Sequence, residues 1–506
     1  MEKLARTALF MAILTLFSKV IGFAREMVLA GCFGVGDVTD AYFMATNIPT
    51  MIFGGVFSAL SLAYMPTFSK KYETEGEAAS SKFTREVLTI MLIVSGCSML
   101  IGFFLSKPIV SLCAPGYDGF VRDLTVFYVK ITFTYILFLS IYALMEAFLQ
   151  YKKIFLPQII IGYLQSIGVI IFIVLAAKFS YYLLPFGLFA GYGMKALVTS
   201  VLAKKNGFPF KPAAHPGKSA REIMILALPV FIGSCANQIN LFVDKSLASG
   251  LQEGCVTALS YGNTIVNTVI GLTTAIILTI VYPHLTQANS TREYEKFSDM
   301  ASSGLNLTLL IMVPFNFGAL LYSEPVIQVI YERGAFNAAA TSLTAPAFFY
   351  YASGLTFIAL VNFLTRAYYA MRDMKTPVVY AIVGVLVNIV CNLLLIHVLG
   401  YRGLALATSL AAVVNTLLLW GNFHRKYPQI TLVRSTSKIV RIVAASAIAV
   451  AASLPVYMLT SGLPMILELG LTILAAGLIY VVALKLLHID EIELLFGMLK
   501  RKKGVE

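Results

Sequence analysis

The sequence predicts an all-α polytopic membrane protein of about fourteen spans, in two parallel-repeat six-helix lobes followed by two further helices. Three observations carry that expectation. Of 506 residues, 58% are hydrophobic and only 12% charged, roughly half the charged share of a soluble domain. Apolar runs long enough to cross a bilayer recur from end to end, and in lipid a helix satisfies its own backbone. Lys and Arg gather in alternate connections between those runs.

Taken in order, the runs cover approximately 8–33, 40–68, 86–113, 122–149, 157–177, 181–203, 223–247, 255–285, 303–322, 343–370, 377–399, 402–423, 439–460 and 464–487. Met1 to Leu16 has the outline of a signal peptide, with Lys3 and Arg6 before an apolar run. No small-residue cleavage site follows, so it reads as a retained first helix. The second run opens on Asp40, a candidate N-cap of its own helix, and contains Pro49, which loosens a helix that must bend. Gly187 and Gly191 in the sixth form a GxxxG step suited to close packing.

The connections carrying Lys70, Lys71, Lys82 and Arg85, then Lys152 and Lys153, then Lys204, Lys205, Lys211, Lys218 and Arg221 lie on one side. So do those with Arg292 and Lys296, Arg372 and Lys375, and Arg425, Lys426, Arg434 and Lys438. With both termini, this side holds roughly 26 Lys/Arg against about 6 on the other, which makes it cytoplasmic. An even span count agrees with two cytoplasmic termini. The net charge of +13 is therefore a topology signal and not a sign of nucleic-acid binding.

A repeat supports the two lobes. Glu26, Leu29, Ala30, Val38 and Thr39 find Asp244, Leu247, Ala248, Val256 and Thr257 at a constant offset of roughly 218 residues, a fixed self-similarity of the kind repeats leave. Pro66 pairs with Pro283, Pro157 with Pro377, and Gly187-Leu188 with Gly403-Leu404 in the same order. The offset spans six runs, an even number, so the copies run in the same direction. This gives an N-lobe over 1–207, a Pro- and Lys-rich cytoplasmic linker over 208–218, a C-lobe over 219–425, and two helices with a basic tail over 426–506.

Several chemistries are excluded. The six cysteines form no CxxC pair and sit mostly in apolar runs, as small core residues do. Gly217-Lys218-Ser219 ends like a nucleotide-binding P-loop, but Pro212 stands where its first glycine belongs and no strand precedes it. No catalytic triad, HExxH or paired-carboxylate pattern appears, so the chain reads as a transporter and not an enzyme.

The candidate site residues are charges inside apolar runs. Lys19, Arg25 and Glu26 fall within the first span, where an unpartnered charge costs a few kcal/mol and should face a wet cavity or a partner. Lys19 and Arg25, six apart with Gly22 between, face loosely the same way. The plainer alternative is that Arg25 and Glu26 close a short helix and snorkel to the interface. Arg366 lies one turn deeper than the basic turn at Arg372, Asp373 and Lys375, and is a candidate for lining a cavity. Asn237, Gln238, Asn240 and Asp244 in the seventh run, Asn388 and Asn392 in the eleventh, and Thr408 and Ser409 in the twelfth could supply oxygens to a hard monovalent cation. Interhelical hydrogen bonding is the ordinary use of such side chains.

Ser18-Lys19-Val20-Ile21-Gly22-Phe23-Ala24-Arg25-Glu26 and Thr39-Asp40-Ala41-Tyr42-Phe43 resemble the lipid II flippase family (MurJ/MviN) of the polysaccharide and drug exporter superfamily. Arg333-Gly334-Ala335-Phe336, Tyr368 to Pro377, Asn388 to Leu395 and Gly403 to Ser409 resemble it too, so the likeness spans essentially the whole chain. The resemblance implies a flippase that moves undecaprenyl-diphosphate-linked peptidoglycan precursor from the inner to the outer leaflet of the bacterial cytoplasmic membrane. It implies an electropositive cavity to which Lys19, Arg25, Glu26 and Asp40 contribute, with the cell-wall synthesis machinery as candidate partner; Arg366 joins these substrate-binding candidates by its depth in its span, and neither nucleotide nor nucleic acid is expected from the motifs and charge pattern above. It also implies a sodium ion as candidate coupling ion, at Asp244, Asn388, Asn392 and Thr408, with Asn392 replacing an aspartate. Lys19 stands for a family arginine and Glu26 for an aspartate. Two family arginines are replaced, at Phe53 and Thr264, which opens the alternative of another polyprenyl-linked oligosaccharide of O-antigen or capsule type. A drug–cation antiporter ranks last, because the first span offers more basic than acidic charge. A scaffold for cell-wall enzymes is the non-transport alternative.

Overall fold

The computed structural model describes residues 2–154, 156–214 and 217–489, and all regular elements among them are helical. Helix α1, Glu2–Phe33, turns through Gly34 into α2, Asp37–Pro49. A π-helical turn, Thr50–Gly54, joins α2 to α3, Gly55–Phe104. Then come α4, Ser106–Cys113, α5, Gly119–Tyr151, α6, Leu156–Lys178, and α7, Phe186–Lys205. Next, α8, Lys218–Ala248, and α9, Cys255–Ile276, lead to a second π turn, Ile277–Val281, and α10, Tyr282–Ser290. Beyond it lie α11, Tyr294–Leu321, α12, Ser323–Tyr331, α13, Ala338–Ser353, α14, Leu355–Ala370, α15, Lys375–Leu399, and α16, Tyr401–Lys426. The chain closes with α17, Thr436–Ala452, α18, Leu454–Leu459, and α19, Met465–Leu486.

Among the described residues nine helices are long and apolar enough to cross a membrane, or ten with α13 and α14 taken as one span bent by 43°. The expected fourteen also counts α1, α8 and the α9–α10 stretch, and it takes the two arms of α3 as separate spans. Helix α3 holds 50 residues, about 75 Å at 1.5 Å per residue, far more than one bilayer. Gly76, at φ 84° and ψ −176°, breaks it into two arms. The second and third expected spans are therefore joined by helix and not by a loop.

Prolines set the bends. Pro49 has no N–H to offer the Ala45 carbonyl one turn back. The helix responds with the π turn that starts at Thr50, and the Thr132 hydroxyl of α5 donates to the freed Ala45 oxygen at 2.9 Å. In the same way Pro314 frees the Leu310 carbonyl, which accepts from the Tyr480 hydroxyl of α19 at 2.8 Å. In lipid each freed carbonyl needs such a donor.

Packing divides the chain into two compact units: Met1–Ser260 with Arg333–Ala340, and Tyr261–Glu332 with Thr341–Glu506. In the first, α3 packs on α5 and α8, α5 on α7, and α6 on α1 and α7. Tyr64 stacks on Phe83 at 5.6 Å and bonds Thr84 through its hydroxyl at 2.8 Å. The expected glycine contact is present: a Cβ on Gly191 would lie 3.0 Å from the Gln165 carbonyl of α6. In the second unit, α15 packs on α16, α14 on α11 and α16, and α17 on α11 and α19. Phe297, Phe363, Tyr368 and Phe423 are fully buried at its centre.

The packing boundary differs from the repeat boundary. Helix α8 lies along α3 and belongs to the first unit, and the division falls inside α9. The linker ahead of α8 is also tied down: Arg85 Nε of α3 donates to the Lys211 carbonyl at 2.7 Å, and Thr89 to that of Ala213 at 3.0 Å. Residues 215 and 216 of that linker lie outside the described residues. Both halves of the sequence place a π turn after their second helix, but α2 has 13 residues and α9 has 22. Pro66 accordingly sits inside α3 whereas Pro283 opens α10.

Candidate functional site

The first unit gathers most of the charges singled out in the sequence. On α1, Arg25 Nη2 donates to Glu26 Oε1 at 2.7 Å, with Nε 3.3 Å from the same oxygen. Neighbours on a helix point about 100° apart, so the guanidinium folds sideways to meet the carboxylate and both stay part-buried. The other Glu26 oxygen, Oε2, is buried with no hydrogen-bond partner among the described residues. Tyr42 of α2 and Tyr192 of α7 lie within electrostatic reach of Arg25. Lys19 behaves differently. It is exposed and makes no hydrogen bond or ion pair among the described residues, so the shared face expected for Lys19 and Arg25 is not one cluster here.

Asp40 is neither the N-cap of its own helix nor an open ligand, which corrects both expectations. The N-cap of α2 is Gly36, whose N–H donates to Thr39 Oγ1 at 3.1 Å. Asp40, 4% exposed, instead accepts from Gly254 N at 2.8 Å, Thr257 N at 2.7 Å and Thr257 Oγ1 at 2.5 Å. It caps the start of α9, satisfying N–H groups that open every helix. The segment 333–340 docks nearby: Ala335 N donates to the Gly31 carbonyl at 2.8 Å.

Between α2 and α8 the first unit forms a narrow recess. Met44, Asn47 and Met51 line one wall, and Gln238, Phe242 and Lys245 the other. Lys245 went unremarked in the sequence reading. Its ammonium lies 5.6 Å from the Phe43 ring centre, and Glu26, Asp244 and Asp40 are the acids whose charge it feels. Asp244 itself is buried on α8. The Asn237 side chain lies outside the described residues. Lys195 and Glu146 were also missed: Lys195 sits 3.8 Å over the Tyr142 ring, and Tyr142 shares a hydrogen bond with Glu146. All three carry the signal that picked out Arg25, an ionisable group inside an apolar helix.

In the second unit, Asn392 Nδ2 donates to Asn388 Oδ1 at 2.8 Å, and Asn388 Nδ2 to Thr408 Oγ1 at 3.2 Å. The Asn388 and Thr408 oxygens are thus each addressed by an amide, and the trio contains no carboxylate. Among the described residues no group of three or more His, Cys, Asp or Glu side chains converges. Asp244 belongs to the first unit. Arg366 of α14 is half-buried with its guanidinium 5.5 Å from the Tyr369 ring. The turn that follows is structural. Asp373 accepts from Lys426 Nζ at 2.6 Å and from Thr376 N at 3.1 Å, and so caps α15. Partial burial would raise the Asp373 carboxyl, but the Lys426 and Thr376 hydrogen bonds outweigh it and hold the group below its ordinary value.

Comparisons with known proteins bear on this arrangement. The family model described as Lipid II flippase MurJ matches residues 29–473. A Rickettsia prowazekii protein described as "Probable lipid II flippase MurJ" is 28% identical over 428 residues, covering 82% of this chain and 83% of its own length. A Burkholderia cenocepacia protein, "Lipid II flippase MurJ", is 26% identical over 436 residues, with 84% of each covered. Among solved structures, a lipid II flippase MurJ in an inward closed conformation superposes with TM-score 0.84 at 24% identity, over 96% of this chain and all of that one. An inward-facing multidrug-resistance transporter of the MATE family gives 0.66 at 13% identity, over 82% of this chain and 98% of its own.

Proposed function

The chain belongs to the lipid II flippase MurJ family, and on that premise we propose that it moves lipid II from the inner to the outer leaflet by alternating access. The observation that carries the site assignment is the part-buried Arg25–Glu26 pair in α1. A guanidinium pre-oriented by a carboxylate presents its remaining N–H donors in a planar fork that matches phosphate oxygens. Arg25 takes up the diphosphate, and exposed Lys19 draws it in. Arg366 contacts the glycan as it passes. The protein sits in the bacterial cytoplasmic membrane with both termini in the cytoplasm, as the basic connections favour, and delivers to the cell-wall synthesis machinery. A cation gradient or the membrane potential resets the cycle, with sodium held near Asn388, Asn392 and Thr408.

A flippase-depleted cell tests this. Wild type restores growth and makes lipid II accessible at the outer leaflet, while Arg25→Ala and Lys19→Ala do not. Full rescue by both variants removes these two residues from the site. A second reading keeps the polyprenyl diphosphate and changes the glycan. It is favoured by Phe53, where the resemblance expects an arginine and where the ring packs edge-on to Phe133 at 6.1 Å. Translocation of an O-antigen-type lipid in place of lipid II would establish it.

A further inference from the structure

Lys245 stands three residues before the end of α8, on the wall of the recess between α2 and α8. A lysine that near a helix end usually snorkels outward to water. This one turns across the Phe43 ring instead and lines the recess. Among the described residues its ammonium makes no ion pair. Glu26, the acid that acts on it most strongly, has one oxygen on Arg25 and the other buried without a partner. Two cations thus share one carboxylate beside a recess whose polar lining is Asn47 and Gln238.

An ammonium laid over an aromatic ring with nearby acids but no direct ion pair, and a buried carboxylate oxygen with no donor, describe a site short of its ligand. The missing ligand carries more than one negative charge and also hydrogen-bond donors. We propose that Lys245 is the second cation of the headgroup site. Its ammonium takes one phosphate of the polyprenyl diphosphate and Arg25 takes the other, at the edge of the recess between Asn47 and Gln238. A sugar hydroxyl or amide N–H next to the diphosphate donates to Glu26 Oε2. The assignment rests on the lipid II reading and deepens it. It also explains how the chain holds a diphosphate with phenylalanine at position 53 and threonine at position 264.

The test uses the full-length protein in liposomes containing lipid II, with Lys245→Met and Lys245→Arg beside wild type. Lys245→Met raises the KM for lipid II about ten- to a hundredfold, as loss of a charge-assisted phosphate contact should, and leaves kcat within a few-fold. Lys245→Arg restores most of the affinity. Direct binding of undecaprenyl diphosphate weakens in Lys245→Met, while undecaprenyl monophosphate, which needs one cation, binds both proteins alike. An unchanged KM in Lys245→Met overturns the assignment. So does equal loss in the Met and Arg variants with a lowered melting temperature, which marks a structural lysine. If wild type moves no lipid II, the transport reading fails, and the binding comparison still decides the role of Lys245.

Discussion

Asp40 directs three hydrogen bonds at the first turn of α9, so its role is to hold two helices together at their ends. Asp40→Ala leaves two buried N–H groups without an acceptor and should cost about 2 kcal/mol or more, read as a lower melting temperature in detergent. Asp40→Asn, which keeps one acceptor, should cost less. If Asp40 instead bound the headgroup, Asp40→Ala would raise the lipid II KM with no change in melting temperature. Asp373 makes a matching argument with a pH sign. Its folded carboxyl titrates below its ordinary value, so its contribution is present above the unfolded value, about 3.9, and is lost as pH falls through the lower folded one. Asp373→Asn should therefore melt earlier than wild type at pH 7, and the gap should close below about pH 4. A gap that persists at low pH would mean the substitution acts through packing and not through charge.

At the scale of the element, the prolines were legible and their partners were not. Pro49 announces that one carbonyl of its helix is freed, but only the fold reveals that Thr132, 87 positions from Ala45, supplies the donor. Thr132→Val keeps the shape and removes that donor, leaving a buried carbonyl unsatisfied at a cost of about 1–3 kcal/mol. Chemical or thermal unfolding measures it, and a neutral result would show that the π turn satisfies Ala45 unaided. The docking of 333–340 onto the end of α1 is a second case. Gly334 has φ 60°, and a Cβ there would stand 2.3 Å from the Gly31 carbonyl. Gly334→Ala cannot keep this seat, so Cys32 next to Gly31 should react faster with a thiol reagent than in wild type. Equal rates would show that the segment holds its place by other contacts. The Arg-Gly-Ala-Phe run was noticed in the sequence as a family likeness, while the reason for its glycine is a backbone approach between distant segments.

For the whole molecule, what the sequence carried best were properties summed over many residues. Alternating basic connections, apolar length and a constant offset average over local detail, and the all-helical two-part plan follows from them. Pairwise geometry does not average: Lys19 and Arg25 share a helix face on paper, yet one is exposed and the other is held by Glu26. Lys245 was passed over for a related reason, since its neighbour Asp244 drew attention through the repeat and the recess it lines forms only when α8 packs near α2. The coupling of transport turns on such geometry as well. Asn388, Asn392 and Thr408 are hydrogen-bonded to one another with no carboxylate among them, whereas a hard cation is held best by several oxygens including charged ones. A sodium requirement built on this trio should therefore be weak in the wild type and strengthened by Asn392→Asp. Flipping measured in liposomes with sodium against choline should differ little for wild type and clearly for Asn392→Asp, whose half-maximal sodium concentration should fall about tenfold or more, the worth of one charge-assisted contact. If neither protein distinguishes sodium from choline, while an imposed membrane potential changes both rates, the trio is a packing contact and the potential alone resets the cycle.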